Sequence, residues 1–371
     1  MKYRLSAILF IPFTLLIIQS TFAGMDDGIT AFERKDYGAA IKEFTSLASH
    51  GDMLAQGMLG AMYREGKGVP QDNKRAAFWY RKAAAQGDAD AQLSLGRMYA
   101  DGQGITKNYQ QAATWYRKAA DQGNAAAQSN LGFSYLGGQG VAQDDQQAAD
   151  WFRKAAEQGV AGAELLLGML YSNGRGVIKN DQEAANWYCK AAEQGDVQAE
   201  NILGSIYTKG QGVPQDDHLA ADWYHKAAEQ GDASAQASIG FMYTNGTGVL
   251  QDYAEAAKWL QRADEQDNAL GQIYLGNLYE FGQGLPQDHA EAARLYLKAA
   301  KQGNSLGQFF LGMDYYRGNG VPQDYVQAYM WLNLAASNSS AFIKTRDEIA
   351  KSLSQEQIAE GQSMSRNWKP K

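Results

Sequence analysis

Ala55-Gln56-Gly57-Met58-Leu59-Gly60-Ala61-Met62-Tyr63-Arg64-Glu65-Gly66-Lys67-Gly68-Val69 decides the fold of this chain. Its Gly-x-x-Tyr element returns at an unbroken period of 36 residues, eight times over. The glycines are Gly60, Gly96, Gly132, Gly168, Gly204, Gly240, Gly276 and Gly312, and a tyrosine follows each, from Tyr63 to Tyr315. A fixed period of this length marks a stacked array, in which one supersecondary unit is copied along the chain. A quasi-linear array can use all 371 residues, so the length does not call for several globular domains.

The first full copy, Asp52 to Gly87, predicts helix A over about 53–65 and helix B over about 73–86. Short polar residues stand before each helix: Asp52, Asp88 and Asn124 before helix A, with Val160 the one exception, and Asp72, Asn108 and Asp144 before helix B. Such side chains accept from the free N–H groups of a first turn. Gln111, Gln147, Glu183, Glu255, Glu291 and Gln327 follow the second set by three, the spacing of a capping box. Glycine stops both helices, at Gly66 through Gly318 for A and at Gly51 through Gly303 for B, with Asp267 replacing it once. Gly68 through Gly320 complete a Gly-x-Gly turn that lacks the preceding strand and Lys-Ser/Thr of a phosphate loop. Ala55, Leu59, Met62 and Tyr63 on A face Ala76, Tyr80, Ala83 and Ala84 on B, with Gly60 predicted to permit close backbone approach. One such hairpin cannot bury both its faces, so neighbours must stack.

Three columns recur between copies. Trp79, Trp115, Trp151, Trp187, Trp223, Trp259 and Trp331 predict a packing plug between repeats, with Leu295 interrupting. Lys82, Lys118, Lys154, Lys190, Lys226, Arg262 and Lys298 fall in the last turn of helix B, where cations complement the helix dipole. Gln56, Gln92, Gln128, Glu164, Glu200, Gln236, Gln272 and Gln308 flank the core stripe and are expected to bond the inter-helix connection.

The combined motif, Ala-x-x-x-Leu-Gly-x-x-Tyr-x-x-Gly-x-Gly-Val followed by Ala-Ala-x-Trp-Tyr-x-Lys-Ala-Ala, resembles the Sel-1-like repeat family, relatives of tetratricopeptide repeats. The resemblance covers about Asp52 to Ser339. It implies an all-α, right-handed α/α superhelical solenoid of antiparallel hairpins, with a non-enzymatic adaptor role. Expected boundaries are a signal peptide over 1–23, a tetratricopeptide-like capping hairpin over 24–51, eight repeats over 52–339 and C-terminal capping helices over 340–371.

Positions shared by every copy are scaffold, and positions that vary are free to read a partner. Positions 57, 61 and 64 and their counterparts lie opposite the core stripe at ~100° per residue. Arg97, Phe133, Met169, Phe241, Phe309, Met313 and Tyr316 are therefore the candidate partner-binding residues, on an inner groove that takes a protein or peptide segment.

A net charge of −7 with no like-charge block argues against nucleic acid as a partner. Lys2 and Arg4 precede the apolar stretch Leu5 to Ile18 and the small residues Ser20, Thr21 and Ala23, which reads as an export signal cut after Ala23. The expectation is a periplasmic or secreted monomer without an integral membrane span. Cys189 is the only cysteine, so no intrachain disulfide forms; its column, with Arg81, Arg117, Arg153 and His225, predicts a surface thiol. No metal-ligand motif surrounds His50, His218, His225 or His289, and neither a nucleophile elbow nor a P-loop occurs, so no metal, cofactor or catalytic residue is expected. Two alternatives accompany the scaffold reading. One is carbohydrate or peptidoglycan binding through the Trp and Lys columns. The other is penicillin binding or weak β-lactam hydrolysis, which the resemblance attaches to disulfide-rich relatives whose cysteine pairs this chain lacks.

Overall fold

The computed structural model describes residues 24–370, so the expected export signal and its cut after Ala23 lie outside the described residues. The chain divides between Lys179 and Asn180 into two compact units. The first contains the helical residues 24–33 (α1), α2 (Tyr37–Ser49), α3 (Met53–Glu65), α4 (Asn73–Gln86), α5 (Ala89–Asp101), α6 (Tyr109–Asp121), α7 (Ala125–Gly137), α8 (Asp145–Ala156) and α9 (Ala161–Asn173). The second contains α10 (Asp181–Glu193), α11 (Val197–Lys209), α12 (Asp217–Glu229), α13 (Ala233–Asn245), α14 (Tyr253–Glu265), α15 (Ala269–Phe281), α16 (His289–Lys301), α17 (Ser305–Arg317) and α18 (Tyr325–Asn338). A 3-10 turn (Ser340–Phe342), α19 (Ile343–Ala350) and α20 (Gln355–Asn367) follow. Among the described residues there is no strand, and helices pair in consecutive hairpins. The expected limits of helices A and B in the first copy coincide with α3 and α4.

The caps work as the residue types dictate. Asp52 and Asp88 accept from the N–H three residues on, as do Asn108 and Asp144, while Val160 caps nothing. The expected capping box before helix B is corrected. The N–H that a box glutamine would satisfy already donates to helix A: Asp72 to the Tyr63 carbonyl, Asn108 to Tyr99 and Asp144 to Tyr135, at 2.8–3.0 Å. The cap residue thus holds its own helix and ties the hairpin together. A complete box forms at Ser354 and Gln357, where α20 begins without that tie.

The two turn glycines do different jobs. Gly66, Gly102 and Gly138 close helix A in the left-handed conformation. Gly104, Gly140 and Gly176 also have positive φ, and a Cβ there would overlap the backbone carbonyl of Asn73, Tyr109 or Asp145. The turn of one repeat therefore sits directly on the first residue of the preceding helix B. Gly60 and its counterparts need a different account from the one expected. A Cβ at Gly60 would meet the Tyr80 ring at 2.6 Å, at Gly96 the Tyr116 ring and at Gly132 the Phe152 ring. The missing side chain admits first a large side chain of helix B, an aromatic ring at these three and Leu260 or Leu332 at Gly240 and Gly312, with a helix-B backbone carbonyl also close at Gly96, Gly240 and Gly312.

The tryptophans reach into the preceding repeat. Trp151 of α8 is buried in a cluster with Leu93 of α5, Tyr116 of α6 and Leu131 of α7. Trp259 of α14 joins the α12–α13 cluster, and Trp331 of α18 joins that of Tyr296 and Leu311. Leu295, which interrupts the column, is wholly buried against Leu260, Leu275 and Leu278 and serves the same purpose. The cation column lies on these rings: Lys154 Nζ is 3.8 Å from the Trp151 ring centroid, Lys190 3.8 Å from Trp187 and Lys226 3.9 Å from Trp223. Helical spacing of three residues brings each pair together, so cation–π contact adds to the dipole role assigned from sequence.

The buried amide column spans three helices at each step. Gln92 Nε2 donates to the Ala84 carbonyl (3.1 Å), and Gln92 Oε1 accepts from Gln122 (2.8 Å). Gln128 repeats this with Ala120 and Gln158, and Gln236 with Ala228 and Gln266. These glutamines are 4–5% exposed, so each unmade bond would be costly. Glu200 keeps one half: its Oε2 accepts from Gln230 at 2.8 Å. A carboxylate has no proton for the Ala192 carbonyl that stands in the corresponding place. Burial pushes the Glu200 carboxyl above its ordinary value. The folded chain then holds this proton more tightly than the unfolded one, so stability is lost as pH rises from the ordinary carboxylate range through the raised value. Glu200→Gln is expected to stabilise the protein by about 1–2 kcal/mol at pH 7 and by less near pH 4, measured by urea unfolding at both pH values.

Candidate functional site

The outward face of each helix A is built by subtraction. Ala55, Leu59 and Met62 turn inward and are fully buried. Positions 61 and 64 then face away from the core. Phe133, Met169 and Phe241 are 49%, 42% and 42% exposed, and Arg97 is exposed as well. Met313 and Tyr316 are half-buried.

Position 57 departs from the expectation. Leu93, Leu165, Ala237 and Ile273 are buried, because this position turns toward the neighbouring hairpin rather than solvent. Phe309, the candidate from this column, is half-buried, with its ring stacked on Phe342 (centroids 4.7 Å apart) and edge-on to Phe310. Others assigned no packing partner from sequence also have one. Phe133 meets Phe152 edge-on at 5.2 Å, Phe241 meets Tyr274 at 4.8 Å and Tyr316 meets Tyr325 at 5.6 Å. These contacts hold each ring by one side and leave the rest of Phe133 and Phe241 in solvent.

Grooves open between successive helices A. One of about 420 Å³ lies among α5, α6 and α7, lined by Phe133, Tyr109, Tyr116, Asn130 and Leu136. A second, of about 380 Å³, is lined by Ile29, Leu54, Met58 and Arg64 together with Asp88 and Asp90 of α5. In the second unit a cavity of about 220 Å³ includes Phe309, Met313 and Asp314. Phe133, Phe309 and Met313 are thus wall residues. Arg97, Met169, Phe241 and Tyr316 share their register on the helices but do not line these cavities. Sequence comparison between copies missed Asp314, which is buried in a column otherwise treated as scaffold.

The remaining columns are structural. Trp151, Trp187, Trp259 and Trp331 are buried, and the half-buried Trp79, Trp115 and Trp223 carry Lys82, Lys118 and Lys226 over their rings. Arg81, Arg117 and Arg153 cross from helix B to the hydroxyls of Tyr99, Tyr135 and Tyr171 in the next helix A. Cys189 is half-buried rather than a surface thiol, because this column lies over the next repeat. Its Sγ donates to Glu193, and burial raises its pKa, which opposes thiolate formation. Among the described residues no group of three or more His, Cys, Asp or Glu is arranged to hold a metal, and no helix is long and apolar enough to cross a membrane.

Comparison with known proteins agrees with this repeat geometry. The Sel1 repeat matches eight consecutive segments: 54–88, 89–124, 125–160, 161–196, 197–232, 233–268, 269–304 and 305–340. The chain is similar to a protective antigen present in uropathogenic Escherichia coli strains and displaying an SLR fold. That similarity is 30% identity over 96% of this chain and 94% of that one, with a TM-score of 0.69. It is also similar to a Sel1 repeat protein from Oxalobacter formigenes, with 34% identity over 84% of this chain and 90% of that one and a TM-score of 0.62. No curated protein gives a match. Sel1 repeat proteins are generally protein-interaction scaffolds. With its eight matched segments and its resemblance to two solved relatives, the chain belongs to the Sel1 repeat family.

Proposed function

We propose that the protein is a non-enzymatic scaffold of the bacterial cell envelope or secreted space, holding a protein or peptide on the outward faces of its helices A. The observation that carries this reading is the exposure of Phe133, Met169 and Phe241 at a register where the repeats differ from one another. Stacking needs the same residues in every copy, and these are not the same. Large apolar side chains left in solvent are the usual anchors of a recognition surface, and one of the three, Phe133, also forms the wall of an open groove. The basic-then-apolar start of the chain supports export, and the likeness to a protective antigen of uropathogenic Escherichia coli supports a bacterial envelope setting.

The test is affinity capture by the purified protein from a bacterial envelope lysate, identified by mass spectrometry, beside a parallel capture with purified sacculi. A discrete protein partner is expected in the first arm, and retention by sacculi alone would contradict the reading. Phe133→Ser combined with Phe241→Ser is expected to weaken capture by about tenfold or more, since loss of one apolar anchor typically costs over 1 kcal/mol.

A further inference from the structure

One carboxylate in the second unit stands where six of its seven counterparts are apolar and the seventh is a serine. Asp314 of α17 occupies the register of Met62, Met98, Ser134, Leu170, Ile206, Met242 and Leu278, and Ser134 satisfies its hydroxyl on the Asn130 carbonyl of its own helix. It is only 5% exposed, and its Oδ2 has no hydrogen-bond partner. A bare carboxylate in such a place is costly unless something cationic or proton-donating meets it.

The neighbours do not supply that group. Tyr296 donates its hydroxyl to Asn277 Oδ1 at 2.7 Å. Glu280 of α15 is engaged by His289 Nδ1 of α16 at 2.9 Å and by Asn319 Nδ2 at 2.7 Å. Arg317, on the same helix as Asp314, lines the cavity and its charge partly offsets the cost of the carboxylate, but it is exposed and leaves Asp314 Oδ2 unpartnered. Asp314 lines the cavity of about 220 Å³ already described, and Phe281, Phe309, Phe310 and Tyr296 form much of its wall. A carboxylate at the base of an aromatic enclosure, with a second acid beside it, is an environment for a cation.

We propose that this cavity binds an alkylammonium group, with Asp314 as its counter-ion and the rings of Phe281, Phe309 and Phe310 around its stem. One unpartnered acceptor oxygen suits a compact point charge better than the two-pronged guanidinium, which seeks a bidentate partner. Burial first, and then the nearby Glu280 charge, push the empty Asp314 carboxyl up to about 7. A bound ammonium would hold it charged, so binding at neutral pH releases a proton. The ammonium can come from a lysine side chain of a bound peptide or from a free amine. The site goes beyond the scaffold reading and does not depend on Phe133 or Phe241.

The test is isothermal titration of the purified protein at pH 8 with n-butylamine, with N-acetyl-lysine methylamide and with the corresponding arginine derivative. Saturable binding of at least one amine is expected. Binding of butylamine alone would assign a free amine, and binding of the lysine derivative a peptide side chain. Asp314→Leu restores the residue type of six of the other seven repeats, and Asp314→Asn keeps the shape; each should weaken binding about tenfold or more, as expected for a lost charge-assisted contact. Phe241→Ser, outside the cavity, should leave amine binding unchanged. No saturation with either amine, unchanged binding in both Asp314 variants, or stronger binding of the arginine derivative would each overturn the proposal. None of these results bears on partner capture through Phe133 and Phe241.

Discussion

Gly140→Ala is expected to destabilise the protein by about 3 kcal/mol or more, which would make it among the most damaging single-methyl additions in the first unit. Two effects add. The residue has φ of +76°, where an L side chain is strained by about 1–2 kcal/mol. The new methyl would also overlap the Tyr109 carbonyl at the start of α6, a backbone group with no rotamer to escape into. Gly159→Ala is the matched control. Gly159 has φ of +79°, but nothing lies within 4 Å of its Cβ position. Only the conformational strain remains, so its cost should be about 1 kcal/mol. Urea midpoints of the two variants separate the effects. Equal losses would mean that the turn does not sit on the preceding helix.

Trp151→Ala should cost about 3–5 kcal/mol in the same measurement. The indole is 6% exposed, lies in a cluster with Leu93 and Tyr116 of the preceding repeat and Leu131 of its own, and carries Lys154 on its face. Because a repeat array is stabilised by interfaces between nearest neighbours, removing this plug should uncouple the repeats on its two sides as well as lower stability. A broadened or two-step transition is the expected sign. A single transition with an unshifted midpoint would place the indole outside the interface.

The scaffold was legible because it is written eight times. Every cap, stop and plug must recur, so chance substitutions such as Val160, Asp267 and Leu295 stand out against their columns. Asp267 illustrates the limit of the pattern. It takes the glycine position with φ of +57°, a conformation that Asp tolerates better than most side chains, so the stop survives the exchange. What periodicity could not supply was the identity of the contacting atoms. Gly60 reads equally well as room for a backbone or for the Tyr80 ring, because the sequence records only an absent Cβ. The glutamines after the helix-B caps look like capping boxes until the Tyr63 and Tyr99 carbonyls are seen to take the N–H first.

The candidate site was only partly legible for a related reason. Opposition to the core stripe at ~100° per residue separates inside from outside on a lone helix, but not solvent from the next hairpin. Position 57 therefore looked outward, although Leu93 and Ile273 are buried. Positions 61 and 64, farther from that neighbour, kept Phe133 and Phe241 exposed. Asp314 escaped notice because a core register was read for what its copies share, whereas the informative fact was the one copy that carries a charge.

We propose a separation of the residues that stack the repeats from those that hold a partner. Its most direct test measures both properties on the same variants: the urea midpoint and the capture of envelope protein for Phe133→Ser/Phe241→Ser beside Trp151→Ala. The paired phenylalanine variant should lose capture while losing only about 1–2 kcal/mol of stability, the worth of two aromatic contacts, one edge-on and one tilted. A collapse of folding in that variant, or undiminished capture with both rings removed, would contradict the separation.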